Sequence, residues 1–102
     1  VTLPATVTVR TTVGSASGLH ARPASLFVQA AVRAAAPVRI GRPGEAAVDA
    51  RSLLSVMSLA ARHGEELELT LAEGAEDGAR AALDELAALL RQDLDAAGQV
   101  AR

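Results

Sequence analysis

The chain has no cysteine, tryptophan or tyrosine, and Phe27 is its one aromatic residue among 102. Without cysteine there is no disulfide framework and no thiol nucleophile, which fits a cytoplasmic setting. Without further rings, the core must be assembled from Ala, Val and Leu around Phe27. Lysine is missing too: the ten basic residues are all arginine, set against twelve acidic ones for a net charge of −2. An arginine-only, alanine-rich usage reads as the imprint of a GC-rich genome. No basic block with interleaved aromatics occurs, so neither nucleic acid nor an anionic membrane surface is an expected partner. No apolar run approaches the ~20 residues that span a bilayer and no signal peptide leads the chain, so no membrane insertion is expected. The first residue is Val1 rather than Met, as in a processed protein or a domain cut from a longer one. At this length one domain is expected.

What is present is a regular alternation of elements. "ATVTVRTTV" (Ala5 to Val13) sets Ala5, Val7 and Val9 on one face of a strand, with Thr and Arg on the other. "GSASG" (Gly14 to Gly18) is a loop. From His20 to about Ala34, the residues Ala24, Phe27, Val28 and Ala31 recur at helical spacing. Pro23 is tolerated there only in the first turn, which sets the helix start at His20 or one residue away. Val38 and Ile40, a Gly-Arg-Pro-Gly turn, then Ala46 and Val48 predict a short hairpin. Ser52 is a good N-cap for a second helix through about Arg62, with Gly64 as its left-handed terminator and His63 beside its C-terminal end. "EELELTLAE" (Glu65 to Glu73) turns Leu67, Leu69 and Leu71 inward. After Gly74, Ala79, Leu83, Leu86 and Leu90 line one face of a third helix ending near Asp93. Residues 94–102 read as a frayed tail behind a domain of residues 1–93. The order β-α-β-β-α-β-α predicts an α+β fold: a two-layer sandwich with a mostly antiparallel sheet and helices on its apolar face.

The chemistry concentrates in "GLHARPAS" (Gly18 to Ser25). A helix N-terminus offers unpaired N–H groups and a partial positive charge, which suits an oxyanion. An imidazole at that end, His20, with Arg22 beside it, can hold a phosphoryl group between fixed donors. The ring nitrogen is the nucleophile and must be neutral, a state that the positive helix end favours. Arg22 can grip phosphoryl oxygens bidentately, which lysine does less well. One histidine with no nearby carboxylate or second histidine is a poor ligand set, so no metal is expected, and no cofactor. The plain alternative for such a pair is a polar surface residue or makeshift cap and a solvated charge.

"GLHARPAS" resembles the active-site stretch of the HPr family, the histidine phosphocarriers of the bacterial phosphotransferase system. "VDARSLLSVMSL" (Val48 to Leu59) is similar to that family's second signature, around a serine that begins the second helix. The two motifs stand in register, and the resemblance covers roughly residues 5 to 92. It implies an open-faced sandwich with a four-stranded antiparallel sheet covered by three helices. It also implies a relay and not an enzyme with its own turnover. Phosphoenolpyruvate phosphorylates enzyme I, enzyme I phosphorylates His20 at Nδ1, and His20 passes the group to a sugar-specific IIA component. Ser52 corresponds to a serine that a dedicated kinase phosphorylates in some members, and an HPr serine kinase or a transcriptional regulator is a further partner it suggests. The protein is expected to be a monomer.

Periodicity in the second helix bears on docking. Turning ~100° per residue, Val56 and Leu59 can face the sheet while Leu53, Leu54 and Met57 point elsewhere. An apolar patch off the core face is a candidate docking surface, although Leu53 or Leu54 packing under a neighbouring loop fits the pattern equally. In HPr proteins the corresponding positions, with that of Ala21, contact enzyme I and IIA. The sequence departs from the family in carrying Gln29 and Val32 where lysines are common, in a longer hairpin turn, and in its C-terminal tail. Two other readings stand. One is an HPr domain of a multidomain phosphotransferase protein, such as a dihydroxyacetone kinase phosphodonor subunit. The other is a non-transferring regulatory module, against which the presence of both His20 and Arg22 argues. A small-ligand sensor would need a pocket that the sequence does not signal.

Overall fold

Alternating β-branched residues build the first strand, β1 (Val7–Thr12). The computed structural model describes residues 7–34, 37–71 and 79–94; Ala5, the stretch around Gly74 and the chain beyond Leu94 lie outside the described residues. The elements that follow are α1 (Ala21–Ala34), β2 (Val38–Gly41), β3 (Val48–Asp49), α2 (Leu53–Ser58), β4 (Glu66–Leu71) and α3 (Ala79–Arg91). The β-α-β-β-α-β-α order is as the periodicity predicts.

The four strands form one sheet in the order β1-β4-β2-β3, and every neighbouring pair is antiparallel. Register sets Leu69 opposite Val9 on one side and Ile40 on the other. Side chains of period two therefore share a face, and Leu67, Leu69 and Leu71 are all buried. Phe27, Ala24 and Ala31 of α1 and Leu83, Leu86 and Leu90 of α3 close over that face. Burying one phenylalanine side chain contributes roughly 1.5–3 kcal/mol, so Phe27 matters in a core otherwise made of aliphatic side chains. The opposite face is open and polar, with Arg10 Nε 3.0 Å from Glu68 Oε2 across the β1–β4 pair. This is the open-faced sandwich.

Four readings need correction. Thr11 belongs to the inward face with Val7 and Val9: it is buried, and its hydroxyl donates to the Ala87 carbonyl at 2.7 Å. Strict parity puts it there, and the hydrogen bond removes the cost of burying a polar group. The second helix stops at Ser58, four residues before Arg62. Its end tightens through Leu59 N–H to Val56 O and Ala60 N–H to Met57 O, both three residues back. The chain then reverses at Ala60, whose φ is +51°. Gly64 does have a positive φ, but it lies in the turn into β4 and terminates no helix. His63 shares that turn, past the end of α2. Finally, Leu94, the first residue of the expected tail, is buried, and its N–H donates to Ser15 Oγ at 3.1 Å.

Candidate functional site

Gly18 and Pro23 shape the stretch between β1 and α1. Gly18 has φ +80°, and a Cβ there would come within 2.5 Å of the Ala61 carbonyl oxygen. Glycine is thus required both by the left-handed conformation and by close approach. The next amide, Leu19 N–H, donates to that same carbonyl at 2.9 Å, and the Leu19 side chain is buried. With Leu19 anchored inward, His20 turns outward and is exposed.

His20 is the residue immediately before α1, and its carbonyl accepts the first intrahelical bond, from Ala24 N–H at 2.9 Å. Helix geometry leaves the amides of Ala21 and Arg22 ahead of that bond. Pro23, buried at the third helical position, has no N–H to leave unpaired. His20 thus stands at the positive end of a fourteen-residue helix, next in sequence to two amides that precede the first intrahelical bond. Arg22 is exposed, and among the described residues it makes no ion pair.

Beside His20 lies a depression of about 570 Å³ whose floor includes Leu19, Met57, Ala60 and Ala61 and whose rim carries Arg62 and His63. The structure therefore brings His20 and Met57 together. Met57 is half-buried and packs against the core, while Leu53 is 38% and Leu54 81% exposed. Val56 is fully buried and Leu54 packs under no loop, as the helical wheel predicts, but Met57, expected to point away from the core, packs against it as Leu59 does. Ser52 is the N-cap of α2, its Oγ accepting from Ser55 N–H at 3.3 Å. Asp49 Oδ1 accepts from Arg51 N–H at 2.9 Å and from Arg51 Nε at 3.2 Å. Those bonds hold the Asp49 carboxyl below the usual carboxylate range. Ser52 and Leu54 do not line the depression that His20 and Met57 share.

Two residues that no motif singles out, Arg42 and Glu65, brace the wall of this site. The Arg42 guanidinium pairs with Glu65 through Nε and Oε2, and through Nη2 to Oε1 at 3.2 Å. Its Nη2 also donates to the Leu59 carbonyl at 2.7 Å, and Glu65 Oε1 accepts from Arg62 N–H at 2.9 Å. This network ties residues 59–65 into the shape that presents the Ala61 carbonyl to Leu19. The hydrogen bond from Arg42 is the main cause holding the Glu65 carboxyl below its ordinary pKa, and the same bond raises that of Arg42. Among the described residues no group of histidine and carboxylate side chains is arranged to hold a metal ion. No described helix is long and apolar enough to cross a membrane.

Comparison with known proteins bears on this arrangement. Residues 7–92 match the family described as "PTS-HPr: PTS HPr component phosphorylation site". The chain is similar to the phosphocarrier protein HPr of Streptomyces coelicolor, 49% identical over 86 residues that cover 84% of this chain and 89% of that one. It is 48% identical over 69 residues to the phosphocarrier protein HPr of Pseudomonas aeruginosa, covering 68% of this chain and 77% of the other. The crystal structure of a phosphocarrier protein HPr from Bacillus anthracis superimposes with a TM-score of 0.72 at 40% identity, over 84% of this chain and 98% of that one.

Proposed function

The chain belongs to the HPr family of phosphocarrier proteins, and from that premise we propose that His20 is the residue through which it carries the phosphoryl group. The protein relays phosphate within the phosphotransferase system through a histidine, and it has no catalytic turnover of its own. HPr proteins generally interact with enzyme I and IIA components; that these are the partners of this chain, in the cytoplasm, is part of the proposal. The observation that carries it is the position of His20: exposed, immediately before α1, with Arg22 exposed two residues on and in no ion pair among the described residues.

In the transfer, the Nδ1 lone pair of neutral His20 attacks phosphorus while the ring keeps its proton on Nε2. The bond from phosphorus to phosphorylated enzyme I breaks, and its electron pair stays on the donor. The phosphoryl oxygens then lie against the start of α1, where the amides and dipole favour anionic charge. The Arg22 guanidinium offers two parallel N–H donors to the same oxygens. Delivery to a IIA component reverses the sequence: the N–P bond breaks and His20 recovers its lone pair.

Leu53, Leu54 and Met57, with Ala21, form the docking surface in this reading. The exposure of Leu54 supports it, because a large apolar side chain in water gains most from being covered. Ser52 is the regulatory candidate. Its hydroxyl is within one residue of that patch, and a phosphate there would have to be desolvated when a partner covers the leucines. Radiolabelled phosphoenolpyruvate and purified enzyme I test the carrier step. Label reaching wild type and passing on to an added IIA, with none on His20→Ala, is expected. Equal labelling of His20→Ala would refute it.

A further inference from the structure

The stretch that carries the phosphoryl acceptor is held from two sides. One is the 61–65 segment: Val13 N–H donates to Glu65 O at 3.0 Å, Gly64 N–H to Val13 O at 2.8 Å, and Leu19 N–H to Ala61 O at 2.9 Å. The other is the end of α3. Gly14 N–H donates to Leu90 O at 2.8 Å, Ala16 N–H to Asp93 Oδ1 at 3.2 Å, and Leu94 N–H to Ser15 Oγ at 3.1 Å. Packing here leaves no slack, since a Cβ on Gly14 would fall 1.8 Å from the Arg91 carbonyl oxygen. Ser15 and Leu94 are both buried.

These contacts differ in kind. Leu90 O is a helix carbonyl that any residue at position 90 would supply. Asp93 acts through its side chain, and its carboxylate reaches a loop amide 77 residues earlier in the chain. Asp93 and Leu94 also lie just past residues 7–92, the part that matches the family. Ala16 lines the same depression as His20, and Gly18 N–H closes a turn back onto Ser15 O at 2.9 Å. A shift of the Ala16 amide is therefore passed through that turn to Gly18 and Leu19, the two residues that lead into His20.

We propose that Asp93 is a positioning residue for phosphoryl transfer: by accepting the Ala16 amide it fixes the 14–18 loop, and with it the attack direction of His20. The role rests on His20 being the acceptor, and it concerns geometry rather than docking, because the Leu53/Leu54 surface lies on α2, outside these contacts. Misplacement of a reacting atom by about 1 Å can cost on the order of a hundredfold in rate. Loss of one of several loop contacts, a smaller displacement, is expected to cost about tenfold.

The test is single-turnover transfer from phosphorylated enzyme I, followed over a range of carrier concentrations. Wild type, Asp93→Ala, Asp93→Asn and His20→Ala are compared. Asp93→Ala is expected to lower the saturating transfer rate about tenfold, with the half-saturating concentration within about twofold of wild type. Asp93→Asn keeps an oxygen acceptor and is expected to recover to within about threefold of wild type. A purely structural role would lower the melting temperature of Asp93→Ala while leaving the saturating rate of the folded protein unchanged, and that result would overturn the proposal. So would a slow Asp93→Asn, or a defect confined to half-saturation. Transfer to His20→Ala at the wild-type rate would instead overturn the assignment of the acceptor.

Discussion

Arg42→Ala is the perturbation whose size follows most directly from the contacts. It removes the ion pair with Glu65 and the hydrogen bond to the Leu59 carbonyl at 2.7 Å. The two paired side chains are 29% and 28% exposed, so solvent screens their attraction, and such pairs contribute about 0.2–1 kcal/mol. The uncapped carbonyl at the end of α2 adds about 1 kcal/mol. A loss of about 2 kcal/mol is expected by urea unfolding near pH 7. The same network fixes the pH dependence. Because the folded pKa of Glu65 is depressed, its stabilisation is fully present above the unfolded value of ~4.3 and is lost as pH falls through the folded one. The cost of Arg42→Ala is therefore expected to shrink to about 1 kcal/mol at acid pH, where only the carbonyl bond remains. A cost below about 0.5 kcal/mol near pH 7, or one that does not change with pH, would refute this account of the brace.

Other substitutions probe single features. Ala60 sits at φ +51°, a region that costs an L-residue about 1–2 kcal/mol. Ala60→Gly is expected to stabilise the protein by ~0.5–1 kcal/mol after the added chain entropy is deducted, read as a rise in melting temperature. Gly14→Ala drives a methyl into the Arg91 carbonyl, and denaturant unfolding is expected to show a loss of about 2–3 kcal/mol. Ser52→Ala removes the cap of α2 and is expected to cost ~1 kcal/mol in the same assay. Ser52→Asp keeps an acceptor there, so its stability is expected to stay near wild type while calorimetric titration shows weaker binding to enzyme I.

Local patterns were legible in the sequence because they need no knowledge of what folds against them. The Leu67-Leu69-Leu71 alternation fixes a strand and its buried face, and the spacing of Leu53, Leu54 and Val56 fixes which side of α2 meets solvent. Pro23 limits where α1 starts to within a residue. Long-range ties have no such trace. Arg42 and Glu65 are 23 residues apart, and Ser15 and Leu94 are 79 apart; nothing periodic links them, and they meet only once the sheet has formed. The early end of α2 has the same origin. Its sequence up to Arg62 suits a helix, but the chain must reverse at Ala60 to offer its carbonyls to Arg42 and Leu19. Thr11 is a different case, since strand parity already placed it among the valines and only its polarity argued otherwise.

The central claim concerns one nitrogen atom. Phosphorus NMR of the protein after incubation with phosphoenolpyruvate and enzyme I tests it most directly, because Nδ1 and Nε2 phosphoramidates resonate apart and the chain holds only two histidines. One Nδ1 signal in wild type, retained in His63→Ala and absent from His20→Ala, is the predicted result. A signal that survives His20→Ala and disappears with His63→Ala would contradict the account.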